Sequence, residues 1–197
     1  WYQTSATPLS GQDILDNWPR ASGNTYYPTP SDAPSGSQTL DWQYVSSTDS
    51  FLQPNNASAS ETLLSPETVE NYTFESILTS DDATDNDMIG LVAAMKTDSA
   101  GDAMMVVAWV NARDNQFALG YADTTVGAFS NNQPNPVNAS ANTSPPNAVP
   151  SGGQNHWASA KIKVKIMRTG DIITAKCSPW DNTTSVDDST EITVDLS

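Results

Sequence analysis

The stretch that decides the fold runs from residue 71 to residue 121. It reads NYTFESILTS (71–80), DDATDNDMIG (81–90), LVAAMK (91–96), AMMVVAWVN (103–111) and QFALGY (116–121). In its first part Tyr72, Phe74, Ser76 and Leu78 share one parity, and Thr73, Glu75, Ile77 and Thr79 share the other. That alternation predicts a half-buried antiparallel strand. Met88–Met95 and Ala103–Val110 are nearly continuous in apolar residues, as strands covered on both faces are. Val106, Val107 and Val110, with flanking Gly and Asp turns, favour strand over helix. The whole reads as the core of an all-β sandwich.

Further along, Lys161–Met167 has the cleanest period of two. Ile162, Val164 and Ile166 are expected inward, with Lys161, Lys163 and Lys165 toward water. Thr169-Gly170-Asp171 turns the chain, and Asp171–Cys177 returns as a hairpin. Ile192, Val194 and Leu196 line one face of a last strand. Before the deciding stretch, Leu40, Trp42 and Tyr44 alternate. Ser50–Gln53 is a short strand stopped by Pro54, and Glu61–Ser65 is expected to pair back. This gives about ten strands and no clear helix.

Residues 1–40 are rich in Pro, Ser, Thr and Gly, and are expected to form an extended strap or linker. Within them Asp13-Ile14-Leu15 suggests one helical turn. Residues 41–197 are expected to form the sandwich domain. Residues 130–155 hold seven Asn, five Pro, four Ser and two Gly with no charge, which predicts a long surface coil. The chain opens at Trp1 without an initiator Met or a signal peptide, so it is expected to be a piece of a longer polypeptide.

Composition narrows the function. The chain has 197 residues, enough for one all-β domain of about 200 residues. Its formal net charge of −15 speaks against nucleic acid and against an anionic membrane surface as partners. No run approaches the roughly 20 apolar residues of a membrane helix. Cys177 is the one cysteine, read as a strand residue, and His156 is the one histidine. Together they leave no intrachain disulfide and no Cys-rich zinc site, and they speak against a Ser-His-Asp triad. Glu67, Glu70 and Glu75 lack the Glu-x-Asp-x-x-Glu spacing of sandwich glucanases, whose acids lie about 5–10 Å apart. The chain is therefore expected not to be an enzyme.

Three features remain as candidate sites. Asp81, Asp85 and Asp87 crowd one turn with Asp82 and Asn86, offering the oxygen ligands that calcium takes. The alternative is an Asx-capped turn. Six Trp and six Tyr in an Asn-rich chain suit saccharide, whose rings stack on aromatics and whose hydroxyls need polar partners. Trp157 and Trp180, with Asn155 and Asp181, lie where strands meet loops and are the candidate ligand contacts, whereas Trp109 is expected in the core. The Lys161, Lys163, Lys165 stripe reads either as a solvated strand face or as a contact for acidic polysaccharide. Sequons at Asn56, Asn71, Asn138, Asn142 and Asn182 reflect the abundance of Asn, Ser and Thr.

A resemblance adds to this reading. Asn17-Trp18-Pro19-Arg20, Tyr26-Tyr27-Pro28-Thr29-Pro30 and Asn71-Tyr72-Thr73-Phe74-Glu75 resemble pieces of a module of bacteriophage tail fibres. So do Ser80-Asp81-Asp82 through Asp85-Asn86-Asp87-Met88-Ile89-Gly90, and Lys163-Val164-Lys165 through Arg168-Thr169-Gly170-Asp171-Ile172-Ile173. The Asp-rich turn before Ile-Gly is also similar to the thrombospondin C-terminal and legume-lectin-like sandwiches. The resemblance implies a concanavalin A-like jelly roll of two antiparallel sheets. It implies a non-catalytic attachment role at the virion surface, or otherwise outside the cell. The partners would be host-surface glycan and other fibre subunits. A purely structural connector or decoration domain is the alternative, and a glycan-cleaving enzyme a further one. The lectin pattern of one Asp followed by spaced Asn and Asp ligands in one loop is absent, so no metal or sugar residue is carried over.

Overall fold

A computed structural model describes residues 9–22, 25–32, 42–54, 61–79, 88–97, 103–111, 116–123, 136–143, 161–179 and 190–195. Among them are thirteen strands, one α-helix and one short 3-10 turn at Pro30–Asp32. The protein is all-β and antiparallel, as its alternating segments predict. The chain divides into two compact units. One comprises Trp1–Thr68, Lys96–Met104 and Asp123–Gln133; the other comprises Val69–Met95, Met105–Ala122 and Pro134–Ser197.

In the first unit, α1 spans Gly11–Asn17. Its start is a capping box: the Asp13 amide donates to Ser10 Oγ (3.1 Å), and the Ser10 amide donates to the Asp13 carboxylate (3.0 Å). Pro19 ends it, because the residue before a proline is pushed out of the helical region, and Trp18 is extended. Arg20 donates from Nη2 to the Leu15 carbonyl (2.7 Å), satisfying a helix-end acceptor. The expected extended strap therefore contains a helix, built on one cap and one buried leucine. β1 (Arg20–Ser22) lies between β2 (Thr25–Tyr27) and β5 (Glu61–Leu63), antiparallel to both. The segment expected to pair back on its neighbour instead joins the N-terminal residues.

β3 (Gln43–Val45) and β4 (Ser50–Leu52) form a hairpin whose turn residue Asp49 has a φ of 49°. Tyr44 donates its hydroxyl to Asp49 Oδ1 (2.8 Å), and its ring lies 5.9 Å from that of Phe51. Gly11 sits against the Tyr44 ring, where a Cβ would come within 2.2 Å of a ring carbon.

The second unit contains two four-stranded sheets. One has the order β10 (Pro136–Thr143), β9 (Gln116–Asp123), β8 (Ala103–Asn111), β7 (Met88–Thr97). The other has the order β13 (Thr190–Asp195), β12 (Ile172–Pro179), β11 (Lys161–Thr169), β6 (Asn71–Thr79). Neighbours are consecutive in sequence except β6, which lies beside β11.

Both sheets give residues to one hydrophobic core: Val106, Ala108, Val110, Phe117 and Leu119 from the first, Leu78, Ile162, Val164, Ile166, Ile173 and Cys177 from the second. Each large aliphatic side chain so buried contributes about 1.5–3 kcal/mol. β8 is buried on both faces, since Met105, Val107 and Trp109 alternate with the core residues and are equally enclosed. β7, at the sheet edge, is only half covered. The Tyr72 hydroxyl of β6 donates to the Ala93 carbonyl of β7, linking the two sheets.

One expectation fails in this unit. Residues 130–155 are not all coil, because Pro136–Thr143 is β10, paired with β9. The pairing shifts register between Val137 and Ala141. Main-chain hydrogen bonds need no apolar side chain, and proline is tolerated at the first residue of an edge strand. No hydrophobic period therefore announced it.

Candidate ligand-binding end and outer face of the second sheet

The register of the second sheet gathers four strand ends. Lys161 pairs with Thr79, Ile162 with Pro179, and Cys177 with Thr190. At this one end the chain leaves β6 toward Asp81, Asp85 and Asp87. It enters β11 from Asn155 and Trp157. It leaves β12 directly into Trp180 and Asp181. Those seven candidate residues themselves lie outside the described residues. What the structure brings together is the set of strand ends from which their segments depart. Among the described residues, no group of three or more His, Cys, Asp or Glu could hold a metal.

The outer face of the same sheet carries a charged row. Register aligns Glu75, Lys165, Lys176 and Glu191 across its four strands. Lys163 reaches Glu75 at 3.1 Å, Lys165 reaches the same carboxylate at 3.6 Å, and Lys176 reaches Glu191 at 3.1 Å. The lysines expected to face water do point outward. Glu75 holds two of them, and Lys165 keeps only 14% of its side chain exposed. Partly exposed pairs of this kind stabilise by only about 0–1 kcal/mol each. Their larger effect is to set where the ammonium groups stand. Glu75 and Glu191 are three strands apart, about 14 Å at a strand spacing of about 4.8 Å.

The next row on this face is Thr73, Met167, Thr174 and Thr193, with the two hydroxyls of Thr174 and Thr193 in contact at 3.2 Å. Ser178, of outward parity, is nonetheless buried, and its Oγ has no hydrogen-bond partner among the described residues. Sequence reasoning singled out neither Lys176 nor Ser178. Lys176 becomes part of the lysine group only through strand register, which alternation alone does not give. At the far end of the sheet, the Gly170 amide donates to Asn71 Oδ1 (3.1 Å) and Arg168 donates from Nε to the Gly170 carbonyl (2.9 Å). Gly170, with a φ of 58°, supplies the left-handed residue this two-residue turn requires.

Cys177 is fully buried in the core, and burial pushes its thiol up to about 12. A thiol held neutral is no nucleophile. Trp109 is buried as expected, with its indole N–H unpartnered among the described residues. No described helix is long and apolar enough to cross a membrane. Comparison with protein-family models, with curated proteins and with solved structures finds no match.

Proposed function

We propose that this protein is a non-catalytic attachment module that binds saccharide at one end of the second sheet. The observation that supports it is the pairing of Lys161 with Thr79, Ile162 with Pro179 and Cys177 with Thr190. Three segments that carry aromatic, amide and carboxylate residues adjoin the strands at that end. Rigid antiparallel scaffolds commonly carry binding residues on connections grouped at one end. The sequence resemblance supports a setting in a phage tail fibre or similar virion surface protein, with host-surface glycan and neighbouring fibre subunits as partners. Two sheets sharing a core support a sandwich, and likeness to the concanavalin A group belongs to this proposal. So does calcium at Asp81, Asp85 and Asp87, which would order an acidic segment beside the saccharide.

The test is a glycan array probed with the domain displayed in several copies, since weak single sites become useful through avidity. Binding is expected for the parent. It should fall about tenfold or more in Trp157→Ala and in Trp180→Ala, with unchanged melting temperatures. Variants that unfold would show these rings to be core and move the site elsewhere. A parent that binds no glycan would replace this reading with a structural connector or decoration domain, and release of reducing sugar would replace it with an enzyme.

A further inference from the structure

The two sheets of the second unit end in β10, β7, β13 and β6, and these edges differ in how they are guarded. β10 opens on Pro136 and shifts register, β13 carries the exposed Glu191 and Asp195, and β7 carries Gly90 and Lys96. Proline, irregular pairing and charge are what keep a strand edge from pairing with another chain. β6 lacks such a guard. It holds an unbroken register with β11 from Asn71 to Thr79 and contains no proline or lysine. Its one charged residue, Glu75, is held by Lys163 and Lys165 of its own sheet. Among the described residues no strand pairs with its other edge. Ile77 is 43% exposed on its outer face, and Tyr72, Phe74 and Ser76, of inward parity, are only half-buried.

We infer that β6 pairs antiparallel with β6 of a second copy of this chain, about a twofold axis at Ser76, and joins two four-stranded sheets into one. An open strand edge presents N–H and C=O groups in an extended row, so the partner that fits is another extended strand. Register and charge select the second copy. With Ser76 opposite its own counterpart, Glu75 faces Ile77 of the second copy, and Phe74 faces its Leu78. One row across the joint then reads Lys165, Glu75, Ile77, Lys163, and the next row reads the same in reverse. Each carboxylate lies between lysines of both copies, and the two Glu75 side chains stand diagonal to each other. Centring the pair on Glu75 would set these carboxylates directly opposite, which destabilises a strand pair. Paired residues share parity, so Phe74 and Leu78 meet on the inner face while Ile77 gains a cross-strand neighbour on the outer one. A contact of this isologous kind uses up the edge and closes at two copies. The net charge of −15 on each copy opposes the approach, and salt screens it beyond about 8–10 Å. The inference concerns self-association and does not depend on the saccharide reading.

Sedimentation equilibrium of the intact chain, at concentrations up to about 1 mM, measures the association. The parent should interconvert between monomer and dimer, and the dimer should strengthen severalfold between about 0.02 M and 0.5 M sodium chloride. Ile77→Glu sets a carboxylate beside Lys163 of its own sheet but opposite Glu75 of the second copy. It should weaken the dimer about tenfold or more, with an unchanged melting temperature in dilute solution, where the dimer adds nothing. Should it fail to fold, Ile77→Thr reads the same effect more weakly. Cross-linking reads the register. Copies carrying Glu75→Cys, mixed with copies carrying Ile77→Cys, should form a disulfide under mild oxidation faster than either alone. Directly opposite Cβ atoms lie about 4.5–5.5 Å apart and diagonal ones farther. A parent that stays monomeric throughout overturns the inference. So does a dimer that the Ile77 variants leave intact, or a mixture that cross-links no faster than its parts. A monomer that binds glycan overturns this inference alone, and a dimer that binds none overturns the attachment reading alone.

Discussion

At the residue scale, Cys177 has the clearest physical consequence. The folded state holds its thiol neutral in the core, lifting it from an ordinary 9.0 to about 12. Because the folded value is raised, the thiol's contribution is fully present below pH 9 and is lost as pH climbs toward 12. Tyr72, half-buried, is also shifted upward by burial, so its contribution is lost in the same direction. Stability should therefore fall from about pH 9 upward. Denaturant midpoints across that range should fall less steeply in Cys177→Ala than in the parent. An equal slope in the two would mean that the thiol is solvated. A disulfide reagent at neutral pH should label the parent only once it unfolds.

At the element scale, β11 carries the second sheet. It pairs along its whole length with β6 and from Ile162 onward with β12, and Ile166 near its centre is fully buried. Ile166→Ala should cost about 2–5 kcal/mol by transfer and cavity terms. Met167→Ala, one residue on and facing outward, should cost much less. Urea unfolding monitored by tryptophan fluorescence measures both, and a larger cost for Met167→Ala than for Ile166→Ala would mean that the face assignment is inverted. β6, β11 and β12 were legible because a strand with one face in the core must alternate, and β8 because a strand covered on both faces cannot. β10 was not legible, since it is held through its main chain and its side chains follow no period. α1 was legible only as a single turn at Asp13-Ile14-Leu15, because it depends on the reciprocal Ser10–Asp13 cap more than on an apolar stripe. For the candidate site, residue type could nominate Trp157, Trp180 and the acidic turn. Only the register shows that their segments depart from one end of a sheet.

At the scale of the whole molecule, charge dominates. A chain of net charge −15 repels itself when compact, and more so because four of its eight basic residues share one face. Raising sodium chloride from about 0.02 M to 0.5 M shortens the screening length severalfold and should raise the melting temperature. A flat response would mean that the acidic groups are already compensated locally. Calcium at matched ionic strength separates screening from binding. A further rise in the parent that disappears in Asp85→Ala with Asp87→Ala marks a site at the acidic turn, because a ligand of the folded state alone stabilises by mass action. Identical curves in calcium and sodium would leave that turn as ordinary Asx capping.

The register of the second sheet also sets how it would carry a load. β6 begins at Asn71, which pairs with Thr169, and β13 ends at Asp195, which pairs with Ile172, so both lie at the Gly170 turn. They occupy the two opposite edges of the sheet. Tension applied between Asn71 and Asp195 therefore peels the edge strands, opening the ladder one hydrogen bond at a time instead of shearing many together. Such a sheet yields at low force. The end bearing the candidate segments is the one farthest from the points of pull, and it is the last part of each edge strand to come away.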